Sequence, residues 1–284
     1  MYEGLRENPF YPEGDLGKLS WQPYTHQHFN HPYPDNYPDS SPITFVLVHG
    51  SWGDCSYWHN TVEELYQMGN SVYTPNLPGH GSDTNKAVTH EDYVRSVVDF
   101  IEKRNLCNIV LVGHSFGGTV ISKVAEQIPK RIRRLVFMDA FVVRNGYSVA
   151  DEIPPEGKAL WEELAQKSPD NTIMLPFLNW RETFMNTADL ELATEIYQTV
   201  TPEPAGPLFQ KLDLSVFDSL DIPKSYYYLT EDIAVPQGEQ YGWHPHMSNR
   251  LGLFRLIKSK GDHMTSFYTM PSMIAKNLVR AGRD

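Results

Sequence analysis

Apolar residues in this chain come in two rhythms, and the way the rhythms alternate predicts the architecture. Short runs rich in apolar residues at 43–48, 71–74, 108–112, 134–138, 225–229 and 254–258 read as strands of a sheet covered by helices. Between them the spacing turns helical. Val94, Val97, Val98 and Ile101 fall on one stripe, preceded by Thr89 and Asp92 at capping-box separation. Val120, Ile121, Val124, Ala125 and Ile128 form a second stripe that Pro129 stops. A last helix is expected from Pro271, whose fixed φ suits a first turn, to Gly282. Strands alternating with helices predict an α/β fold with a mostly parallel central sheet flanked by helices.

Residues 140–221 break the alternation. They carry helical stripes such as Leu160, Trp161, Leu164 and Ala193, Ile196, Tyr197, Val200 without a strand run between them, which reads as an inserted helical cap. The core is then expected at 43–139 and 222–284. Residues 1–42 hold seven of the 21 prolines and five tyrosines with no regular pattern, so an irregular N-terminal arm is expected there. Its roles reduce to shielding the cap, stabilising the core or forming a homodimer interface. His26, His28 and His31 cluster in the arm, but no carboxylate or Cys stands at ligand spacing and a Pro-rich loop is a poor cage, so no metal site is expected.

Composition narrows the classes of function. At 284 residues, with 40% hydrophobic and 12% aromatic positions, the chain can bury one large core plus a cap and is not disordered as a whole. No apolar stretch approaches the roughly 20 residues of a membrane span. A formal net charge of -11 would repel a polyanion, which excludes nucleic acid as the expected partner. Cys55 and Cys107 have no metal-ligand spacing and read as reduced thiols. The opening Met1-Tyr2-Glu3-Gly4-Leu5-Arg6 lacks the basic start and apolar core of a signal peptide, so a cytoplasmic protein is expected.

Candidate chemistry sits where the run at 108–112 enters Gly113-His114-Ser115-Phe116-Gly117-Gly118 and then a helix. The pentapeptide alone is a weak signal, but the strand–turn–helix setting is the one a nucleophile elbow requires. A serine hydroxyl needs an imidazole to take its proton and an acid to hold that imidazole. His263 follows the last strand, which puts it in a loop at the strand's carboxyl end. Asp232 follows the strand at 225–229 and is the preferred acid; Asp139 comes next, and Glu231 and Asp262 are further rivals. Acyl attack also needs two N–H donors for the oxyanion, expected from Phe116, directly after the nucleophile, and Ser51, in the loop after the first strand. His49 and His114 read as packing or hydrogen-bonding residues of their turns rather than as bases. No Walker A, dinucleotide glycine fingerprint or zinc-protease motif occurs, so neither cofactor nor metal is implied.

Val46-Leu47-Val48-His49-Gly50, Trp58, Leu111-Val112-Gly113-His114-Ser115-Phe116-Gly117-Gly118 and Gly261-Asp262-His263-Met264 together resemble the α/β-hydrolase superfamily. Within it the chain looks like the branch of plant hydroxynitrile lyases, plant methyl esterases and bacterial pyrethroid-type carboxylesterases. The likeness runs over about residues 43 to 284, with Phe137-Met138-Asp139-Ala140-Phe141-Val142 and Thr201-Pro202-Glu203-Pro204 similar to the bacterial esterases. The lyases resemble one another in a lysine after the catalytic histidine, where this chain has Met264. The resemblance therefore implies an α/β-hydrolase fold and a carboxylesterase rather than a lyase.

The expected function is cleavage of a small apolar or aromatic ester through an acyl-enzyme on Ser115. A lactonase with the same triad and a carbon–carbon lyase or hydrolase are the alternatives. Trp52, Trp161, Trp180 and Met264 are the expected substrate-binding residues. The expected partner is a small-molecule ester or lactone, with no nucleic acid and no membrane, and a homodimer allowed by the arm.

Overall fold

A computed structural model of the protein describes residues 41–283. The expected arm, including the His26, His28 and His31 cluster, lies outside the described residues except for Ser41 and Pro42. The main sheet is built from β1 (Thr44–Val48), β2 (Ser71–Tyr73), β3 (Ile109–His114), β4 (Ile132–Met138), β7 (Lys224–Leu229) and β8 (Arg255–Ser259), in the spatial order β2-β1-β3-β4-β7-β8. Every pairing among these strands is parallel. Helices on both faces leave β1, β3 and β4 no polar side, which is why their apolar runs are nearly continuous.

Helices α1 (His59–Gln67), α2 (His90–Lys103) and α3 (Gly117–Gln127) connect the first four strands. The Thr89 side chain accepts from the Asp92 N–H, and Asp92 accepts from the Thr89 N–H, closing the expected capping box on α2. Val94, Val97 and Ile101 of α2 and Val120, Ile121, Val124 and Ala125 of α3 are buried in the core. The chain leaves β1 for β2 on one side and returns to β3 on the other. That reversal opens a crevice at the carboxyl ends of β1 and β3, where a parallel α/β sheet binds its ligand.

The segment between β4 and β7 contains α4 (Pro155–Lys167), α5 (Phe177–Phe184), α6 (Leu190–Tyr197) and the short α7 (Ala205–Phe209). It is not purely helical as expected: β5 (Thr172–Ile173) and β6 (Glu203–Pro204) pair antiparallel. Two residues per strand, one of them a proline, carry no period that could show in the sequence. After β8 come α8 (Thr265–Thr269) and α9 (Pro271–Gly282), the latter beginning and ending at its expected Pro and Gly. No helix among the described residues is long and apolar enough to cross a membrane.

Candidate active site

The carboxyl ends of β3, β4, β7 and β8 bring the polar residues of the site together. Ser115 follows β3 with φ 55°, a left-handed conformation that costs a non-glycine residue about 1–2 kcal/mol. The turn is held by hydrogen bonds: the Ser115 N–H donates to Met138 O at 3.2 Å, and the Ser115 carbonyl accepts from Gly118 N at 3.1 Å and Phe141 N at 3.0 Å. It also requires glycine at its corners. A Cβ on Gly113 would stand 2.5 Å from Gly117 O, and one on Gly117 would stand 2.8 Å from Val48 O.

His263 Nδ1 and Asp232 Oδ2 are 2.6 Å apart, and both residues are buried. With Nδ1–H donating to the carboxylate, the neutral ring carries its lone pair on Nε2. The ring is fixed by packing as well. It stacks on Trp243 with an interplanar angle of 8° and lies 4.5 Å from the His114 ring and 5.3 Å from Phe184, centre to centre. Ser115, His114 and His263 line one cavity.

Asp139 and Asp232 divide their protons unequally. Asp139 ends β4 at φ 35° and is fully buried, and burial together with the neighbouring Asp232 charge pushes its carboxyl well above the usual range. Asp232 is also buried, which opposes ionisation, but His263, Asp139 and Trp243 outweigh that and hold its carboxyl low. Two carboxyls in contact cannot both ionise cheaply. A protonated Asp139 therefore donates to an ionised Asp232, while its oxygens accept from Leu229 N at 3.0 and 3.1 Å. Ligand atoms of Asp139, Asp232 and His263 lie within 4.8 Å of one another, but a proton on His263 Nδ1, donated to Asp232, takes that nitrogen out of a metal-ligand set.

The other rival acids are used elsewhere. Glu231 accepts from Gly261 N at 3.0 Å. Asp262 accepts from Thr187 N, Thr187 Oγ1 and Thr265 Oγ1, tying the cap to the first turn of α8. His49 and His114 brace the turns. His49 Nδ1 donates to Gly50 O at 2.8 Å and Nε2 accepts from Leu77 N at 3.0 Å, and burial brings its pKa down to about 3. The Gly50 N–H donates to Tyr57 Oη at 2.6 Å, and Tyr57 O–H donates to His114 Nδ1 at 2.9 Å. Burial holds His114 well below the usual imidazole range, so it is neutral.

Ser51 lines the cavity, and its buried hydroxyl makes no hydrogen bond within the described structure. Phe116 immediately precedes the first turn of α3. Trp52, Trp180 and Met264 line the cavity, but Trp161 does not: it packs at 5.6 Å against Trp52. An aromatic at helical spacing is as ready to pack behind a wall as to form one. Phe184, Ile196, Val200 and Tyr268 complete the apolar lining. Phe184 is one of the cap aromatics that suggest an apolar substrate from the sequence; Ile196, Val200 and Tyr268 were not singled out for the site, although α6, which supplies Ile196, was visible as a stripe. Cys55 and Cys107 are both free.

A protein-family model described as the alpha/beta hydrolase family matches residues 45–271. Among curated proteins, a carbendazim hydrolyzing esterase from a Nocardioides strain is 40% identical over 124 residues, which are 43% of this chain and 50% of that one. The chain thus spans half the length of that relative. Methylesterase 7 of Arabidopsis thaliana is 26% identical over 78% of this chain and 90% of its own. Among solved structures, an extracellular alpha/beta-hydrolase from a Paenibacillus species, described as sharing structural and functional homology with tobacco salicylic acid binding protein 2, is 54% identical. It covers 86% of this chain and 100% of its own, with a TM-score of 0.84.

Proposed function

This chain belongs to the alpha/beta hydrolase family, and from that premise we propose that it is a carboxylic ester hydrolase working through an acyl-enzyme on Ser115. The observation that carries the reading is the 2.6 Å bond between Asp232 and His263, with His263 and the strained Ser115 lining one largely apolar cavity. Ser115 Oγ attacks the ester carbonyl while His263 Nε2 takes its proton. The tetrahedral oxyanion is held by the Ser51 and Phe116 amides. Collapse breaks the bond to the leaving oxygen, which receives the proton from His263 as the alcohol departs. Water then repeats the cycle against the acyl-serine and releases the acid. Asp232 holds the tautomer and balances the imidazolium, and Asp139 supports Asp232 through its hydrogen bond.

Trp52, Trp180, Phe184, Ile196, Val200 and Met264 favour a small apolar or aromatic ester, and among the described residues no Lys or Arg lines the cavity to bind an anionic group. A lactone fits the same machinery. Met264 in place of a cation beside His263 weighs against lyase chemistry, which would leave a departing anion without its electrostatic partner. Hydrolysis of p-nitrophenyl esters and of methyl esters by wild type and by Ser115→Ala tests the reading, with a phosphonate probe followed by intact mass. The expected outcome is one adduct on Ser115 and a loss on the order of 10⁶ in turnover in the variant. Full hydrolysis by Ser115→Ala would sink the assignment. The Nocardioides relative's name makes carbendazim a further substrate to offer.

A further inference from the structure

A second buried carboxylate–histidine pair lies outside the triad. Glu203, in β6 of the cap, is fully buried, and its Oε2 accepts from the Trp52 N–H at 2.7 Å and from His80 Nε2 at 2.8 Å. His80 is equally buried, and its Nδ1 donates to Pro78 O at 3.0 Å. Both ring nitrogens donate, so His80 is an imidazolium and Glu203 a carboxylate. An ion pair taken out of water is often no better for stability than an apolar pair of the same volume. Its placement points to a different use.

Trp52 is bound to the cap three times: its N–H by Glu203, its carbonyl by Thr201 N at 3.0 Å, and its indole Nε1 by Ile173 O at 2.8 Å. It also sits at φ 62°, a conformation a tryptophan keeps only when its surroundings impose it. Ser51 is therefore pinned on both flanks. In a trans peptide the C=O and N–H point in opposite directions. His49 holds the Gly50 carbonyl at 2.8 Å, which sets the direction of the Ser51 N–H, and Glu203 holds the peptide that follows. Gly50 brings this loop against the nucleophile, since a Cβ on it would stand 2.7 Å from Ser115 Cβ.

We propose that Glu203, braced by His80, is a positioning residue of the oxyanion hole: from the cap it anchors the Trp52 N–H and so aims Ser51 at the carbonyl attacked by Ser115. This rests on the acyl-transfer reading above. The cap then completes the oxyanion hole, because the residue after Ser51 takes its conformation from cap partners.

The test compares wild type, Glu203→Gln and Glu203→Leu, with kcat expressed per serine titrated by the phosphonate so that misfolded enzyme does not count. Leucine removes the acceptor and is expected to lower kcat about 10²–10³-fold, the effect of losing one oxyanion donor, with KM within about threefold. Glutamine keeps an acceptor oxygen and is expected to lose about tenfold or less. Inhibition by a trifluoromethyl ketone, captured by the serine as a hemiketal oxyanion, should weaken in step with kcat/KM; a role in folding alone would not move it. A Leu variant within twofold of wild type per titrated serine, or a loss confined to KM, overturns the proposal. If the Leu variant does not fold, Glu203→Ala takes its place: unchanged ketone inhibition and kcat within twofold of wild type per titrated serine overturn the proposal. A wild type without a Ser115 adduct instead overturns the acyl-transfer reading, and this one with it.

Discussion

His90 makes the protein sensitive to acid in a way that one substitution should isolate. It opens α2, is 2% exposed, and donates from Nε2 to Thr119 Oγ1 at 2.9 Å, while the Thr119 hydroxyl donates to Phe116 O. Burial, with the Lys123 charge adding to it, lowers its pKa from 6.5 to about 3. The unfolded chain therefore takes up this proton long before the native protein does, and stability falls as pH drops from the unfolded value towards the native one. Between pH 7 and pH 5 the loss is RT ln[(1+10^1.5)/(1+10^-0.5)], about 1.9 kcal/mol, provided only that the native pKa lies well below 5. His49, also lowered to about 3, adds a similar loss. His80 has the opposite sign. Glu203 raises its pKa, so its stabilisation is complete below the unfolded value and is lost as pH rises through the folded one, returning less than about 1 kcal/mol over the same interval. His90→Gln keeps a side-chain N–H for Thr119 and cannot titrate. Urea unfolding of both proteins at pH 7 and pH 5 should show the variant losing about 1.9 kcal/mol less than wild type, whatever its stability at pH 7. Equal pH dependence in the two proteins would refute a buried neutral His90.

Two more outcomes separate neighbouring residues that look alike in sequence. Asp232→Asn should lower kcat about 10⁴-fold by stabilising the wrong His263 tautomer, whereas Asp139→Asn, replacing a group already protonated, should cost no more than about tenfold; equal losses measured by steady-state kinetics would contradict the proton assignment. Gly118→Ala would put a Cβ 2.5 Å from Phe141 O and 2.8 Å from Ala140 Cβ, so a loss of about 1–3 kcal/mol is expected, and an unchanged melting temperature would contradict that close approach.

The inner strands of the main sheet were legible because they are largely buried on both faces. The runs at 43–48 and 225–229 begin within one residue of β1 and β7, since no polar face blurs where such a strand starts. β4 begins two residues earlier than expected, at Ile132, because Arg133 and Arg134 interrupt the apolar run while the backbone pairing continues past them. The α2 and α9 boundaries were legible for a different reason: Thr89, Asp92, Pro271 and Gly282 each fit their position through backbone chemistry that acts locally. The pairing of β5 with β6 depends on two segments about thirty residues apart, and neither has enough length to show a period.

The site divides along the same line between local and non-local causes. Ser115 stands in a turn whose glycines are dictated by atoms a few residues away, and His263 and Asp232 each follow a strand, so position along the chain was enough to pair them. What tunes those groups comes from distant parts of the chain. Asp139 and Asp232 are adjacent only because β4 and β7 are neighbours in the sheet, and only that contact decides which of them keeps a proton. Glu203 reaches Trp52 across 151 residues of sequence. Its tetrapeptide was noticed as a family likeness, yet nothing in its local pattern indicates a buried carboxylate bonded to an imidazolium. A charged residue in a proline-flanked segment ordinarily reads as exposed, and what makes Glu203 different is the His80 cation and the Trp52 amide that the fold brings to it. In this molecule the identity of the candidate groups is therefore written locally, while their protonation and placement are set by tertiary contacts.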